Sequence, residues 1–445
     1  MKLTPKEFNE QYKINADLQT KFAFASDNKR KTIASIAGKP KKMFVEIMKR
    51  FFTNPAVVIA LAVFITILLC SILIPSKGLR IYEPNKKINA YANISMLPPL
   101  HSPMFKDAYD PNASVVSLWR EINKLPGEKV NGQFLGNQIL QYFKEFEQSV
   151  KFDGSIEQLG VYNPPTGIIE GMTIEYNPYL VFKYYILKAN ILDAVNKNQT
   201  VDENFINQSL ANIPTLHTLL GTTTKGADIW TTTWYATWRA IVIALIAASL
   251  QTIIGVSIGA YLGFNAGKRV DTICMRLIDI FLSLPELIWL LLFVSIFGTN
   301  SYALIGALVI TGWAGPVSTT RMFIITVKDE EYIIASKSVG AKTSRQIFYH
   351  ALPAILGKIA TNFVRRIPSI IMSVASLAFL GFFNENNDIS LGQLLVESIG
   401  DAQKNIWILV LPATILLCLS LSLHFIALGV HDALDPKVIT KSRRK

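Results

Sequence analysis

Residues 238–264 read WRAIVIALIAASLQTIIGVSIGAYLGF, and this stretch decides the fold class. Its only charged residue is Arg239, and it is long enough to cross a hydrocarbon core of about 30 Å. Further apolar runs of similar length lie at 55–74, 277–297, 302–325, 359–382 and 406–430. Since only helices and closed barrels satisfy their backbone polar groups in lipid, these runs predict an all-α membrane protein with six transmembrane helices.

The composition agrees with a chain that sits in lipid. Of its 445 residues, 50% are hydrophobic and 17% are charged, whereas soluble domains carry about 25% charged residues. The net charge is +12, but the basic residues concentrate at the two ends and in short connections between apolar runs. This placement indicates membrane topology rather than nucleic-acid binding.

Cysteine and histidine usage argues against two further kinds of site. Cys70, Cys274 and Cys418 lie inside or beside apolar runs, so no disulfide framework is predicted. The five histidines are scattered along the chain, and their spacing predicts no metal site.

Lysine and arginine placement predicts the orientation of the spans, because positive residues near span ends stay in the cytosol. Basic residues lie before the first span, after the second, after the fourth and after the sixth. Residues 1–54 and 431–445 are therefore expected to be cytosolic basic segments, with both termini inside a multi-pass plasma-membrane protein. The first run, 55–74, reads as a retained signal anchor because a long polar segment precedes it.

Residues 75–237 are expected to lie outside the cell, between the first span and a core of five helices at 238–430. Aromatic and aliphatic residues recur there at helical spacing, around Phe143 and again around Leu187, which predicts a mainly helical domain. Two interpretations of this domain stay open. The domain is either a docking surface for a substrate-binding lipoprotein, which we favour, or an elaboration with an adhesive or shielding role.

The connection 329–356, between the fourth and fifth spans, carries the most informative residues. It runs EYIIASKSVGA from Glu331 to Ala341 and then QIFYHALP from Gln346 to Pro353. The small residues Ala335 and Ser336 followed by Gly340 predict a short helix with a flat face and a sharp turn after it. Such a helix can lie in a groove of another protein, although an ordinary amphipathic helix at the membrane surface is the alternative. Pro353 is expected to begin the next helix, where no backbone donor is needed.

These residues resemble the EAA loop of integral-membrane subunits of ABC importers. The spacing fits at Ala335, Ser336, Gly340, Leu352 and Pro353. Ile334 replaces the glutamate of that pattern, and His350 replaces its isoleucine, as in the oligopeptide, dipeptide and nickel branch. Further segments resemble the C-type permease of that branch in the same order along the chain, at 220–228, 379–381, 392–395 and 432–436.

This resemblance implies the type I ABC importer permease fold and a role in oligopeptide import. It implies a heterodimer with a second homologous permease, two ABC ATPases on the cytosolic side and an extracellular substrate-binding lipoprotein. Closure of the ATPases would move the 331–353 loop and drive alternating access. ATP and Mg would bind in the partner subunits and this chain would hold no cofactor, because the glycines at 263–268 do not match a phosphate-binding loop.

Charged residues inside spans are costly, by roughly 2.5 to 3.5 kcal/mol at a helix centre. Glu286, which follows Pro285, is a candidate for the translocation path, where it would meet the amino group of a peptide. The alternative is that Glu286 pairs with an arginine or faces water. His424 is a weaker candidate for the same path. Arg321, Arg365 and Arg366 are expected near cytosolic span ends, where long side chains reach the headgroups.

Other functions stay open from the sequence alone. A membrane-anchored extracellular binding or adhesion protein would use 75–237 as its working part. The same permease architecture could also import dipeptides or nickel, since the residues do not identify the substrate.

Overall fold

The computed structural model describes residues 43–88, 95–125, 129–130, 133–134, 137–153, 172–298, 300–382 and 389–434. Two compact units divide the chain, Met1–Thr53 and Asn54–Lys445. In the first unit, α1 covers Met43–Thr53; residues 1–42 of the predicted basic N-terminal segment lie outside the described part of the chain. The second unit contains every other element.

Helices of the second unit are α2 Pro55–Leu73, α3 Ser114–Ile122, α4 Lys144–Ser149, α5 Pro178–Asn196, α6 Glu203–Asn212, α7 Ile229–Phe264, α8 Arg269–Leu282, α9 Glu286–Phe297, α10 Ser301–Gly312, α11 Ala314–Val327, α12 Glu331–Ser338, α13 Thr343–Arg345, α14 Leu352–Phe379, α15 Leu391–Asp401 and α16 Trp407–Leu434. A 3₁₀ helix covers Asn137–Phe143, and a π-helical turn covers Gln346–Ala351. Strands are β1 Phe105–Ala108, β2 Lys129–Val130, β3 Gln133–Phe134, β4 Lys151–Asp153 and β5 Thr173–Tyr176.

The predicted all-α membrane fold is confirmed. Four helical segments are long and apolar enough to cross a membrane, namely α2, α7, Thr343–Phe379 and α16, and two bent helix pairs raise the number to six. The third predicted span is α8 followed by α9 at 80°, and the fourth is α10 followed by α11 at 41°. Both of these predicted spans are therefore present as bent helix pairs. At the sharper bend Pro285 caps α9, and a proline cannot continue the hydrogen-bond ladder of the helix before it.

Four spans also have bounds that differ from the apolar runs by more than two residues. Helix α7 begins at Ile229 rather than at 238, α8 begins at Arg269 rather than at 277, α14 begins at Leu352 rather than at 359, and α16 continues to Leu434 rather than to 430. At the start of α7 the Asp228 side chain accepts a hydrogen bond from the Thr231 backbone N–H at 2.8 Å. Such a cap satisfies an orphan donor at a helix start, so the helix extends through polar residues that a hydropathy pattern excludes.

Helices α7 and α11 meet along a stripe of three glycines, Gly255, Gly259 and Gly263, spaced one helical turn apart. A Cβ at Gly259 would lie 2.5 Å from the Val317 carbonyl oxygen, and one at Gly263 would lie 2.7 Å from the Ile324 Cβ. Small residues at this spacing let two backbones approach closely in a membrane. We call this contact the glycine seam.

Residues 95–216, with the gaps noted above, form an inserted domain with a hydrophobic core of its own. The predicted helical residues are present: Phe143 and Phe146 lie buried against Leu187 and Ile191 of α5. Strands β1, β5 and β4 add a three-stranded antiparallel sheet in that order, which the sequence analysis did not predict. Strands of three or four residues are too short for a period-of-two pattern to stand out.

The inserted domain is joined to the membrane helices by a close backbone contact. The Asn405 side-chain amide donates to the carbonyl oxygens of Leu220 at 2.8 Å and Leu97 at 3.2 Å. Gly221 lies beside them with a φ of +86°, and a side chain there would collide with Leu97. This junction holds the inserted domain against the start of α7.

Candidate functional site

The predicted short helix and glycine turn in the 329–356 loop are both present. Helix α12 ends in a turn in which the Ala341 N–H donates to the Ser336 carbonyl at 3.1 Å and the Gly340 N–H donates to the Lys337 carbonyl at 2.9 Å. Gly340 has a φ of +84°, so this is the Schellman arrangement that favours glycine. Nothing lies within 4 Å of a Cβ placed there. Glycine is therefore needed for its backbone angle and not for space.

The loop exposes large apolar side chains. Val339 is 90% exposed, Tyr349 is 76% exposed and Phe348 is 57% exposed. Among the residues predicted to form the docking element, Glu331, Ala335, Gly340 and Pro353 are exposed, and Ser336, Ala341, His350 and Leu352 are half-buried. An apolar surface on a loop that joins two spans is typical of an interaction site, and the role of these residues stays a prediction.

The opposite side of the loop is anchored to three spans, which the sequence analysis missed. Ile333 of α12 and Ile347 of the π turn are buried with Ile355 of α14, Ala260 of α7 and Ile324 of α11. Burial raises the pKa of the Tyr332 phenol, and the Glu330 carboxylate adds to this effect, so the ring stays uncharged. A push on the loop would reach all three spans through this cluster, because close-packed interiors transmit strain.

The start of the fifth span differs from the prediction in one respect. Helix α14 begins at Leu352 with Pro353 in its first turn, as expected. However, helical backbone precedes it without a break, through α13 and the π turn that holds His350. In a π turn the regular hydrogen bond from a backbone N–H to the carbonyl four residues earlier is absent. Pro353 has no N–H and cannot make that bond, so the π turn suits the position before it.

The candidates for the translocation path do not form one cluster in the described part of the chain. Pro285 and Glu286 are exposed at the start of α9, and His424 is exposed on α16 with its ring 6.3 Å from that of Phe425. Glu286 forms no salt bridge within the described residues and is exposed, so its role stays a prediction.

Two of the three span arginines are bonded to other groups of the protein, which the sequence analysis did not predict. The Arg321 guanidinium donates to both Asp271 carboxylate oxygens, at 2.6 Å and 2.7 Å. Arg366 donates to Gln251 Oε1 at 2.8 Å and to the Gly312 carbonyl at 2.7 Å. Because α14 begins earlier than predicted, Arg366 lies at the middle of its 28-residue helix, which is about 42 Å long.

A cavity of about 260 Å³ opens beside Arg366, between α7, α11 and α14. Its lining residues are Thr252, Val256, Gly315, Pro316, Thr319, Thr320, Phe323, Ile359, Asn362, Phe363, Arg365, Arg366 and Ser369. The Thr252 hydroxyl is buried and has no hydrogen-bond partner among the described residues. Polar side chains from three helices thus converge beside one cavity, which is the arrangement that ligand pockets and transport paths use.

Comparisons with known proteins agree with these features. Residues 251–440 match the family described as "Binding-protein-dependent transport system inner membrane component". That range holds the 329–356 loop and every lining residue of the cavity. Residues 435 and 436, the end of the last resembling segment, lie outside the described part of the structure.

Similar proteins carry the names of peptide permeases. The chain is 29% identical to the oligopeptide transport system permease protein OppC of Mycoplasma pneumoniae, over 95% of this chain and 98% of that protein. It is 32% identical to OppC of Bacillus subtilis over 40% of this chain and 57% of the relative. It is also 32% identical to the dipeptide transport system permease protein DppC of Bacillus subtilis, over 39% of this chain and 54% of the relative. The chain therefore spans little more than half the length of the Bacillus relatives.

The family pattern read from the sequence, the apolar helices and these matches all point the same way. Through residues 251–440, the chain belongs to the family of binding-protein-dependent transport system inner membrane components, and it is a multi-pass membrane component of an ABC transporter.

Proposed function

We propose that this chain is a permease subunit of an ATP-binding-cassette importer for oligopeptides. It forms the translocation path with a second, related permease, and partner ATPases bind and hydrolyse ATP with Mg. An extracellular binding lipoprotein delivers the peptide, so this chain is a transport subunit and not an enzyme. The names of the relatives support the cargo, above all the Mycoplasma pneumoniae OppC, whose alignment covers 95% of this chain and so includes most of the inserted domain.

One observation carries the coupling part of this proposal. The 329–356 loop exposes Val339, Phe348 and Tyr349, while Ile333 and Ile347 anchor it to α7, α11 and α14. One side of the loop is exposed and available to a partner, and the other side packs against the spans. A partner that moves the exposed side would tilt these helices together, as alternating access requires.

The membrane orientation follows from this assignment. The ATPases are cytosolic, so the 329–356 loop and both termini lie in the cytosol of a plasma-membrane protein. The inserted domain then lies outside the cell, where it offers a docking surface to the binding lipoprotein. Lysine and arginine placement around the spans supports the same orientation.

Site-specific photo-crosslinking tests the proposal. A photoreactive amino acid replaces Val339 in one variant and Tyr302 in a matched control, since both residues are 90% exposed. Tyr302 lies beside the α9–α10 turn, which the proposed orientation places outside. The Val339 variant should capture an ATPase subunit in native membranes, and the Tyr302 variant should not.

Two outcomes would overturn the proposal. Equal capture of an ATPase from both positions would remove the 329–356 loop as the docking element. If neither position captures an ATPase, no ATPase copurifies with the tagged chain, and the outside domain binds a surface ligand, the chain is a membrane-anchored binding protein instead.

A further inference from the structure

A polar stripe runs along helix α14, and the proposed function does not account for it. The stripe contains Lys358, Asn362, Arg365, Ser369, Ser373 and Ser376. Successive members are three or four residues apart, so they lie on one face of the helix. The opposite face carries Ile367, Ile370, Val374 and Leu377, which are buried in the apolar core of the bundle.

This polar face cannot lie against lipid tails. Arg365 is exposed on it near the middle of α14, and a charged side chain at that depth is costly in hydrocarbon. The described part of the chain offers Arg365 no ion-pair or hydrogen-bond partner. The stripe therefore faces water, a ligand or another protein.

The cavity beside the stripe has a positive, preorganised wall. Bonds to Gln251 and to the Gly312 carbonyl hold the Arg366 guanidinium, and its Nη1 lies 3.1 Å from the place that a Cβ would occupy at Gly315, on the cavity wall. Arg365 lines the same cavity, and none of the lining residues is acidic. Two hydrogen bonds hold Arg366 in place, whereas Arg365 is exposed and has no such bond among the described residues, so Arg365 is the cation available to a ligand.

We propose that this cavity binds the C-terminal carboxylate of a peptide during its passage, and that Arg365 is the residue that recognises it. The inference rests on the proposed function, because it concerns the cargo of the same transporter. Guanidinium groups hold carboxylates with two parallel hydrogen bonds. Every linear peptide has a free carboxylate at its end, so recognition of this group tolerates many side chains.

The rest of the cavity suits a variable side chain. Val256, Phe323, Ile359 and Phe363 give it apolar walls, and Thr252, Thr319 and Asn362 add small polar groups. A site with one fixed positive charge and with both apolar and polar walls recognises the C-terminus of a peptide without recognising its sequence.

Chemical protection tests the carboxylate site without the binding lipoprotein. The complex purified through a tag on the full chain is placed in lipid nanodiscs and treated with phenylglyoxal, which modifies water-accessible arginines. Mass spectrometry follows Arg365 and, as an internal control, Arg276, whose side chain is 79% exposed. Tetra-alanine should slow modification of Arg365 about tenfold, whereas tetra-alanine amide should leave it unchanged, because only the free acid offers a charge-assisted bidentate partner.

Each other outcome overturns the inference. Equal protection by both peptides, or none, means that the cavity does not recognise a carboxylate. If Arg365 is not modified at all while Arg276 is, the stripe is covered, and an acidic residue of the second permease is the alternative partner.

Transport separates this inference from the proposed function. With the binding lipoprotein unchanged, Arg365→Gln should lower tetra-alanine uptake into proteoliposomes about tenfold, Arg365→Lys should lower it less, and Arg276→Gln should not change it. If the wild-type complex takes up no peptide, the proposed function fails and this inference fails with it. If uptake is normal in Arg365→Gln, the proposed function stands and the inference falls.

Discussion

Helices α7 and α11 use neighbouring faces in opposite ways. Along the glycine seam, a Cβ at Gly259 would be 2.5 Å from the Val317 carbonyl, so the backbones touch. On the adjoining face, Thr252 and Thr319 border a cavity of about 260 Å³. Along the seam the glycines have no side chains, so the two backbones are in contact. On the adjoining face, polar side chains line the cavity. This difference teaches that α7 and α11 are packed as one body, and that the open space between this body and α14 is available to a ligand.

Loss of the seam should have the largest effect. Gly259→Ala places a Cβ against the Val317 carbonyl and the Thr320 side chain, which should destabilise the protein by about 3 kcal/mol, at the upper end for overpacking. Thermal unfolding of the detergent-extracted protein measures this change. Gly306→Ala is the matched control, since nothing lies within 4 Å of a Cβ there. Equal stability of the two variants would mean that the seam is not a tight contact.

Removal of the Arg366 guanidinium tests the wall of the cavity. Arg366→Met leaves Gln251 Oε1 and the Gly312 carbonyl without their donor, which should lower the unfolding free energy by about 2 kcal/mol. Arg365→Met serves as the control and should change stability by less than about 0.5 kcal/mol. Thermal unfolding of both variants separates the structural arginine from the exposed one, and a larger loss for Arg365→Met would reverse their roles.

A change in the 329–356 loop should impair coupling without the loss of stability that a change in the glycine seam causes. Gly340→Ala forces a Cβ into a φ of +84°, at a local cost of about 1 kcal/mol. We expect the peptide-stimulated ATPase rate of the complex to fall, while thermal stability stays within about 1 kcal/mol of the wild type. Gly340→Asn should be milder, since asparagine tolerates this angle better. Full coupling in a Gly340→Val variant would exclude the turn from force transmission.

The smallest effect is expected at Thr252. Its hydroxyl is buried and has no hydrogen-bond partner in the part of the chain that the structure describes, so Thr252→Val should leave stability unchanged or raise it by up to about 1 kcal/mol. Thr237→Val is the control, because the Thr237 hydroxyl donates to the Thr233 carbonyl at 2.8 Å, and its loss should cost about 0.6 kcal/mol. Unfolding measurements on both variants would show whether the cavity holds an unmet polar group; a clear loss at Thr252 would show that a partner satisfies it.

Much of the 329–356 loop could be predicted, because its determinants are local. The helix at Glu331–Ser338 and the turn at Gly340 follow from small residues and a glycine at fixed spacing. The anchoring of Ile333 and Ile347 could not be read in this way, since their partners Ala260 and Ile324 are distant in the chain. Long-range contacts leave no period in a single sequence.

The sequence analysis also did not predict the cavity, which is a larger feature than the anchoring of the loop. The sequence analysis placed Arg365 and Arg366 near a span end because Gly357 and Lys358 interrupt the apolar run, whereas α14 begins at Leu352. The helical spacing of the polar stripe can be read from the sequence. Its neighbours on α7 and α11 can be identified only when the three helices are placed together.

By itself, the sequence determined that this chain is a multi-pass helical membrane protein of a binding-protein-dependent transporter. Apolar run length and ordered local motifs are sufficient for that, because lipid leaves the backbone few alternatives. Only the tertiary structure decided where two spans bend, which face of α14 is polar toward a cavity, and which arginine is held and which is exposed. These properties depend on how neighbouring helices fill space, and close fit between distant segments is set by three-dimensional contact rather than by residue type.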